Sequence, residues 1–145
     1  MKNHKTVQAL EELLANTYVL LIKTQNYHWN VEGPNFKSLH ELFEIQYNDL
    51  FASVDEIAER VRALGTKVDA SFENFSKLSK IKKGEKSLDA SAMISDLVAS
   101  NDVIVKSLEA GIKTAQDEGD EGTADLFIQR LKVHEKAIWM LQSSK

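Results

Sequence analysis

Cysteine is absent from this chain, proline occurs once and glycine only six times in 145 residues. Without thiols there can be no disulfide, zinc–thiolate site, iron–sulfur cluster or cysteine nucleophile. Any bound metal must take its donors from His, Asp, Glu or Asn. Such donors select harder or borderline ions such as iron, manganese or zinc over copper(I). Scarce proline and glycine count against an all-β protein built on tight turns and favour helices. No apolar run approaches the roughly 20 residues needed to span a bilayer. Residues 1–12 lack the apolar core of a secretory signal, so a cytoplasmic protein is expected. A concentrated basic surface is also missing, because the net charge is −4. That balance opposes tight generic DNA binding and suits a surface that attracts cations.

What is present is helical periodicity. The length fits one domain, residues 1–145, with a real core. From about Thr6 to Asn30, Val7, Leu10, Leu13, Leu14, Tyr18, Leu21 and Ile22 recur at three- and four-residue spacing, which predicts a first long helix. Gly33-Pro34 breaks it with turn chemistry. A second helix is predicted from Phe36 to Leu64, with Gly65 as its stop. At about 1.5 Å per residue it exceeds 40 Å, a length that belongs to a bundle. Residues 66–88 change character, being rich in Ser and Lys. A structureless loop that long is unusual in a compact domain, so a crossover holding a short helix around Phe72, Phe75 and Leu78 is expected. The third long helix opens at Asp89 or Ser91 as alternative caps. Met93, Ile94, Leu97, Val98, Ile104, Val105, Leu108 and Ile112 form its stripe. The run Asp117-Glu118-Gly119-Asp120-Glu121-Gly122 ends it. Thr123 is expected to start the fourth, with Phe127, Ile128, Leu131, His134, Ile138 and Leu141 inward. Two helical hairpins joined by one long crossover make an all-α, ferritin-like four-helix bundle.

The second helix carries the chemistry. His40 and Glu44 are four residues apart and share a face, as do Asp55 and Glu59. Eleven residues separate Glu44 from Asp55, close to three full turns, so both pairs lie on nearly the same face. His28 enters from the end of the first helix. Glu44 and Asp55 are nevertheless roughly 16 Å apart along a straight helix. Metal–ligand bonds are only about 2.0–2.6 Å long. One chain therefore cannot close both pairs on one ion. Two such helices packed antiparallel about a two-fold axis bring the first pair of one chain to the second pair of the other. Each site then has His28, His40 and Glu44 from one chain with Asp55 and Glu59 from its mate, a set suited to iron(II). Spacing alone leaves a solvated acidic face as an equal reading.

The run Tyr27-His28-Trp29-Asn30-Val31-Glu32-Gly33-Pro34-Asn35-Phe36, followed by Leu39-His40-Glu41, resembles the signature of the Dps family of mini-ferritins. Asp55-Glu56-Ile57-Ala58-Glu59-Arg60 is similar to its second signature, and Ile138-Trp139-Met140-Leu141 to its closing helix. The resemblance covers essentially the whole chain. It implies a hollow dodecamer with ferroxidase sites between two-fold-related subunits. These would oxidise iron(II), often with hydrogen peroxide in preference to oxygen, and store ferric mineral inside. Zinc is a possible competitor for such a site. By motif position the ligands are His28, His40, Glu44, Asp55 and Glu59. Where this chain has Glu44 the family often has Asp, so the longer arm shifts the coordination. The resemblance also implies that Trp29 lies near the site and takes up stray oxidising equivalents, while its bulk alone suggests core packing. Trp139 is expected in the core, and His134 as a satisfied buried histidine.

The same resemblance places acidic residues of the 117–125 region, Asp125 with Glu121, at a three-fold pore for iron entry. Gly122 stands where some relatives have an acid, which makes that pore less acidic. A solvated loop favouring a helix N-terminus is the other reading. DNA binding is expected to be weak or absent. Only Lys2 and Lys5 precede the first helix, and Lys80, Lys82, Lys83 and Lys86 form the one basic cluster. An architectural DNA-compacting protein and a helical assembly without a working metal site are the competing readings. No convincing pair of Glu-x-x-His motifs is present, which separates the chain from ferritins that hold the whole site in one bundle.

Overall fold

A computed structural model describes residues 3–145. Its helices are α1 (His4–Asn30), α2 (Phe36–Ala63), α3 (Phe72–Leu78), α4 (Ala90–Asp117) and α5 (Glu121–Gln142). Helices α1 and α2 form one hairpin and α4 and α5 the other. The short α3 lies against α1 within the crossover. Among the described residues, no helix is long and apolar enough to cross a membrane.

Apolar stripes at helical spacing explain the bundle. Leu10, Leu20, Tyr27, Phe43, Ile57, Leu97, Ile104, Leu108 and Phe127 are each essentially sealed from solvent. Burying a side chain of this size stabilises by about 1.5–3 kcal/mol. The stripes also carry exceptions. Trp139 is 62% exposed, which corrects the expectation of a core residue. It sits two positions before buried Leu141, and a 200° rotation puts it on the opposite side of α5. Ile22 and Ile128 likewise point outward.

Capping fixes the helix ends. Asp89, not Ser91, caps α4, its carboxylate accepting from Ala92 N–H at 2.8 Å. Helix α5 begins two residues earlier than the sequence suggested, because Asp120 is its cap and accepts from Thr123 N–H at 3.0 Å. Arg60 of α2 donates to the same carboxylate at 2.8 Å. A Cβ at Gly122 would stand 2.9 Å from that guanidinium, so glycine permits the approach.

The crossover is tied down along its length. Ser71 caps α3, and Phe75 stacks on Tyr18 with centroids 4.6 Å apart. Buried Asn16 accepts from Ser79 Oγ at 2.9 Å and Lys80 N–H at 2.8 Å. Further on, Glu85 N–H donates to the Tyr27 hydroxyl, which itself donates to Asp96. Buried Lys23 completes this cluster against Asp96 and Ser100. Burial, followed by the Asp96 hydrogen bond, pushes the Tyr27 hydroxyl well above its ordinary pKa.

Candidate metal centre

Five residues, Val31–Asn35, reverse the chain between α1 and α2. Gly33 holds φ at 117°, a conformation open to glycine and costly for other residues. The reversal lays the last turn of α1 beside the first turns of α2, so that His28 faces His40. Their rings stack with centroids 3.7 Å apart and an interplanar angle of 13°.

The backbone then decides which nitrogens are free. His28 Nδ1 lies 2.7 Å from the His40 carbonyl oxygen, and His40 Nδ1 lies 2.7 Å from the His28 carbonyl oxygen. A carbonyl oxygen only accepts, so both Nδ1 atoms carry the proton and donate. In the neutral rings each Nε2 is then the atom left with a lone pair for a metal. This reciprocal lock is the second-shell pattern that orients metal-binding histidines. Glu44 Oε1 is 3.6 Å from His28 Nε2. One donor atom from each of His28, His40 and Glu44 lies within 4.8 Å of the others, a group able to hold a metal ion. His28 is buried, His40 is half-buried and Glu44 is exposed. The cluster thus opens outward through its carboxylate.

Two aromatic side chains frame it. Phe36 stacks on His40 at 5.0 Å, and Tyr47 meets the His28 ring edge-on at 5.2 Å. Sequence reasoning passed over both. The available signal was helical spacing: Phe36 is four residues before His40, and Tyr47 three after Glu44.

Asp55 and Glu59 do not join the cluster within the chain. Both are exposed on the same helix, three turns further on. Trp29 follows His28 but is 67% exposed, so it is not packed in the core of the subunit. His134 is buried as expected, its Nδ1 2.8 Å from Asn101 Oδ1.

The acidic 117–125 run divides into structural and free members. Glu118 accepts from Thr6 N–H at 2.7 Å and from its hydroxyl at 2.6 Å. The hydroxyl bond foremost holds the Glu118 carboxyl below its usual range. Burial alone would raise the Asp120 carboxyl, but hydrogen bonds from Thr123 and Arg60 outweigh it and keep it low. Asp117 pairs with Lys113 at 3.3 Å. Glu121 and Asp125 remain exposed on the first turns of α5.

With this geometry in view, comparison with known proteins places the chain. It matches the ferritin-like domain family over residues 7–144. It is 33% identical to "DNA protection during starvation protein 2" of Bacillus anthracis over 141 residues, 97% of each chain. The chain belongs to the Dps family of ferritin-like proteins. The crystal structure of Dps from Staphylococcus aureus superposes with a TM-score of 0.95 at 35% identity, covering 99% of this chain and 97% of that one. A low temperature-induced protein of Nostoc is 39% identical over 139 residues, 94% of this chain and 78% of that protein. The likeness to Dps proteins thus extends over the crossover and α3 as well as the four long helices.

Proposed function

We propose that this chain is a ferroxidase and iron-storage subunit, one ferritin-like domain over residues 1–145, acting in the cytoplasm as a homo-oligomer. The observation that carries the reading is the convergence of donor atoms from His28, His40 and Glu44, with both imidazoles locked by backbone carbonyls. Nitrogen and carboxylate donors with an open side fit ferrous iron as a substrate that must enter, react and leave.

Two of the five ligands come from a second subunit. Asp55 and Glu59 supply it across a two-fold axis, completing the set His28, His40, Glu44, Asp55 and Glu59. Phe51 supports this arrangement. It lies on the same face of α2, between the His40–Glu44 and Asp55–Glu59 pairs, and is 64% exposed. An axis between those pairs sets the two Phe51 side chains together and buries them. Twelve subunits complete the shell, as the Dps resemblance implies, and Glu121 with Asp125 line a pore into it.

In the reaction, two ferrous ions each give one electron to one hydrogen peroxide, whose O–O bond breaks. Water completes the ferric oxyhydroxide and protons are released. Oxygen can replace peroxide as the acceptor. Removing Fe(II) and peroxide together suppresses hydroxyl radicals, so the role is protection against oxidative stress. Trp29, exposed beside His28, can absorb a stray oxidising equivalent at little structural cost. The same donors suit zinc, which competes with iron. DNA binding is weak or absent, since Lys80 of the basic cluster is already paired with Glu12 at 2.9 Å.

The test is the double substitution His28→Ala with His40→Ala, followed by ferric absorbance after mixing with Fe(II) and peroxide. The initial rate should fall by about two orders of magnitude as metal positioning is lost. A wild-type rate would show that these are not the ligands.

A further inference from the structure

A second set of unpartnered polar atoms lies inside the bundle. Between α2 and α5, and reaching α1 and α4, is a cavity of about 450 Å³. Leu20, Leu42, Leu50 and Ala137 are among the apolar side chains that wall it, and Ile45 and Met140 stand exposed among its lining residues. A volume of this size matches pockets that enclose small molecules.

Two atoms on its lining residues lack a partner. Asn101 Nδ2 donates to the Leu97 carbonyl at 2.8 Å, which identifies its other side-chain atom as the acceptor facing His134 Nδ1. His134 Nδ1 therefore carries the proton, and Nε2 is a lone pair. That Nε2 is buried and has no hydrogen-bond partner among the described residues, on a residue only 1% exposed. Gln46 Nε2, from α2, is a buried donor that is equally unpartnered. Burial, reinforced by the Arg130 charge, lowers the His134 pKa to about 3, so the ring stays neutral. Of the charged groups nearby, Arg130 donates to Asp49 at 2.8 Å, and Lys136 is exposed.

The cavity thus offers one buried acceptor, one buried donor and apolar walls, and the one charge on its lining without an ion pair, Lys136, belongs to an exposed residue at the rim. A hydroxyl group answers both polar atoms at once, because it can donate and accept. We propose that this cavity is a binding site for a small uncharged hydroxylic molecule, a phenol or short alcohol. Its O–H donates to His134 Nε2, its oxygen accepts from Gln46, and its hydrocarbon body fills the apolar part. An unmet buried polar group is costly, and a ligand that meets two of them gains selectivity over a hydrocarbon of the same shape. This site is distinct from the iron-oxidising cluster and does not depend on it.

The experiment titrates the assembled, histidine-15N-labelled protein with phenol and, separately, with toluene. Phenol should saturate, shift the His134 Nε2 resonance, and bind about tenfold tighter than toluene. His134→Leu and Gln46→Leu should each weaken phenol by about tenfold while leaving toluene within about twofold. If His134→Leu fails to fold, Gln46→Leu alone makes the comparison, since Gln46 is only half-buried. Equal affinity for phenol and toluene overturns the proposal. So does an unmoved Nε2 resonance, or no phenol binding up to about 10 mM. A cavity filled by tightly held water gives that last pair of results.

Discussion

A site divided between two subunits can be repaired by mixing two defective chains. Consider one variant carrying His28→Ala and His40→Ala, and a second carrying Asp55→Ala and Glu59→Ala. Each alone has no complete site, because every two-fold pair lacks one half twice over. When the two are unfolded together and reassembled at equal amounts, random pairing makes about half of the dimers mixed. A mixed dimer has one site with all five ligands and one site left with Glu44 alone. About a quarter of all sites should therefore be intact, and ferrous oxidation with peroxide should return to about a quarter of the wild-type rate. The number follows from distance. Donors on His28, His40 and Glu44 lie within 4.8 Å of one another, while Asp55 is roughly 16 Å away along the same helix. The assay is stopped-flow ferric absorbance on the mixed assembly, against each variant taken through the same refolding. A mixture no faster than the separate variants, although native mass measurement shows mixed assemblies, refutes the division of the site. So does substantial activity in the Asp55→Ala, Glu59→Ala variant alone.

Three further outcomes follow from the structure. His134 has a folded pKa of about 3 against an ordinary 6.5, so the unfolded chain binds more protons between those values. Stability falls as pH drops from 6.5, by about 1.4 kcal/mol per pH unit from this group. Urea unfolding at fixed protein concentration should show wild type losing its advantage over His134→Gln at that slope between pH 6 and 5. A constant difference would exclude burial of a neutral imidazole. Asp120→Ala removes the α5 cap and the partner of Arg60, costing about 2–4 kcal/mol in denaturant midpoints, whereas Asp120→Asn keeps the cap and costs less. At about 150 mM salt, where exposed charges are screened within roughly 8 Å, a gel shift should show no DNA retention, and robust retention would contradict the reading of the lysine cluster.

Much of the fold was legible because long apolar stripes and turn residues are strong local signals. The bounds of α1, α2 and α4 fall within two residues of those read from periodicity, and Asp89 was a visible cap. The start of α5 was misplaced because an acidic run looks like a solvated loop. Only the structure shows Asp120 reaching Thr123 and Arg60 at once. Trp139 was misread because size and hydrophobicity argue for burial, while its register on α5 turns it outward. At the metal centre, the residue types and their common face were readable. The exchange of hydrogen bonds between His28 and His40 was not, since it depends on how tightly the Gly33 turn closes. The orphaned Nε2 of His134 was equally invisible: a histidine on an apolar stripe announces burial, not which of its two nitrogens finds a partner.

On the proposed division of the site along α2, the chemistry depends on assembly. Within a subunit the bundle core is filled by side chains such as Phe43, Ile57, Leu97 and Leu108, and the three proposed carboxylate ligands, Glu44, Asp55 and Glu59, lie outside it. The carboxylates can therefore sit on an outer face without weakening the fold, where bringing several buried acids together would incur desolvation and mutual repulsion. An isolated subunit offers iron only three donors, one of them exposed. In the proposed dimer a full set appears when a two-fold contact covers Phe51 and carries Asp55 and Glu59 of the partner subunit to the histidines. Oxidation of iron is then confined to assembled protein, where the ferric product can be enclosed. A free subunit, having half a site, would bind Fe(II) weakly and release it before two electrons could be delivered to peroxide.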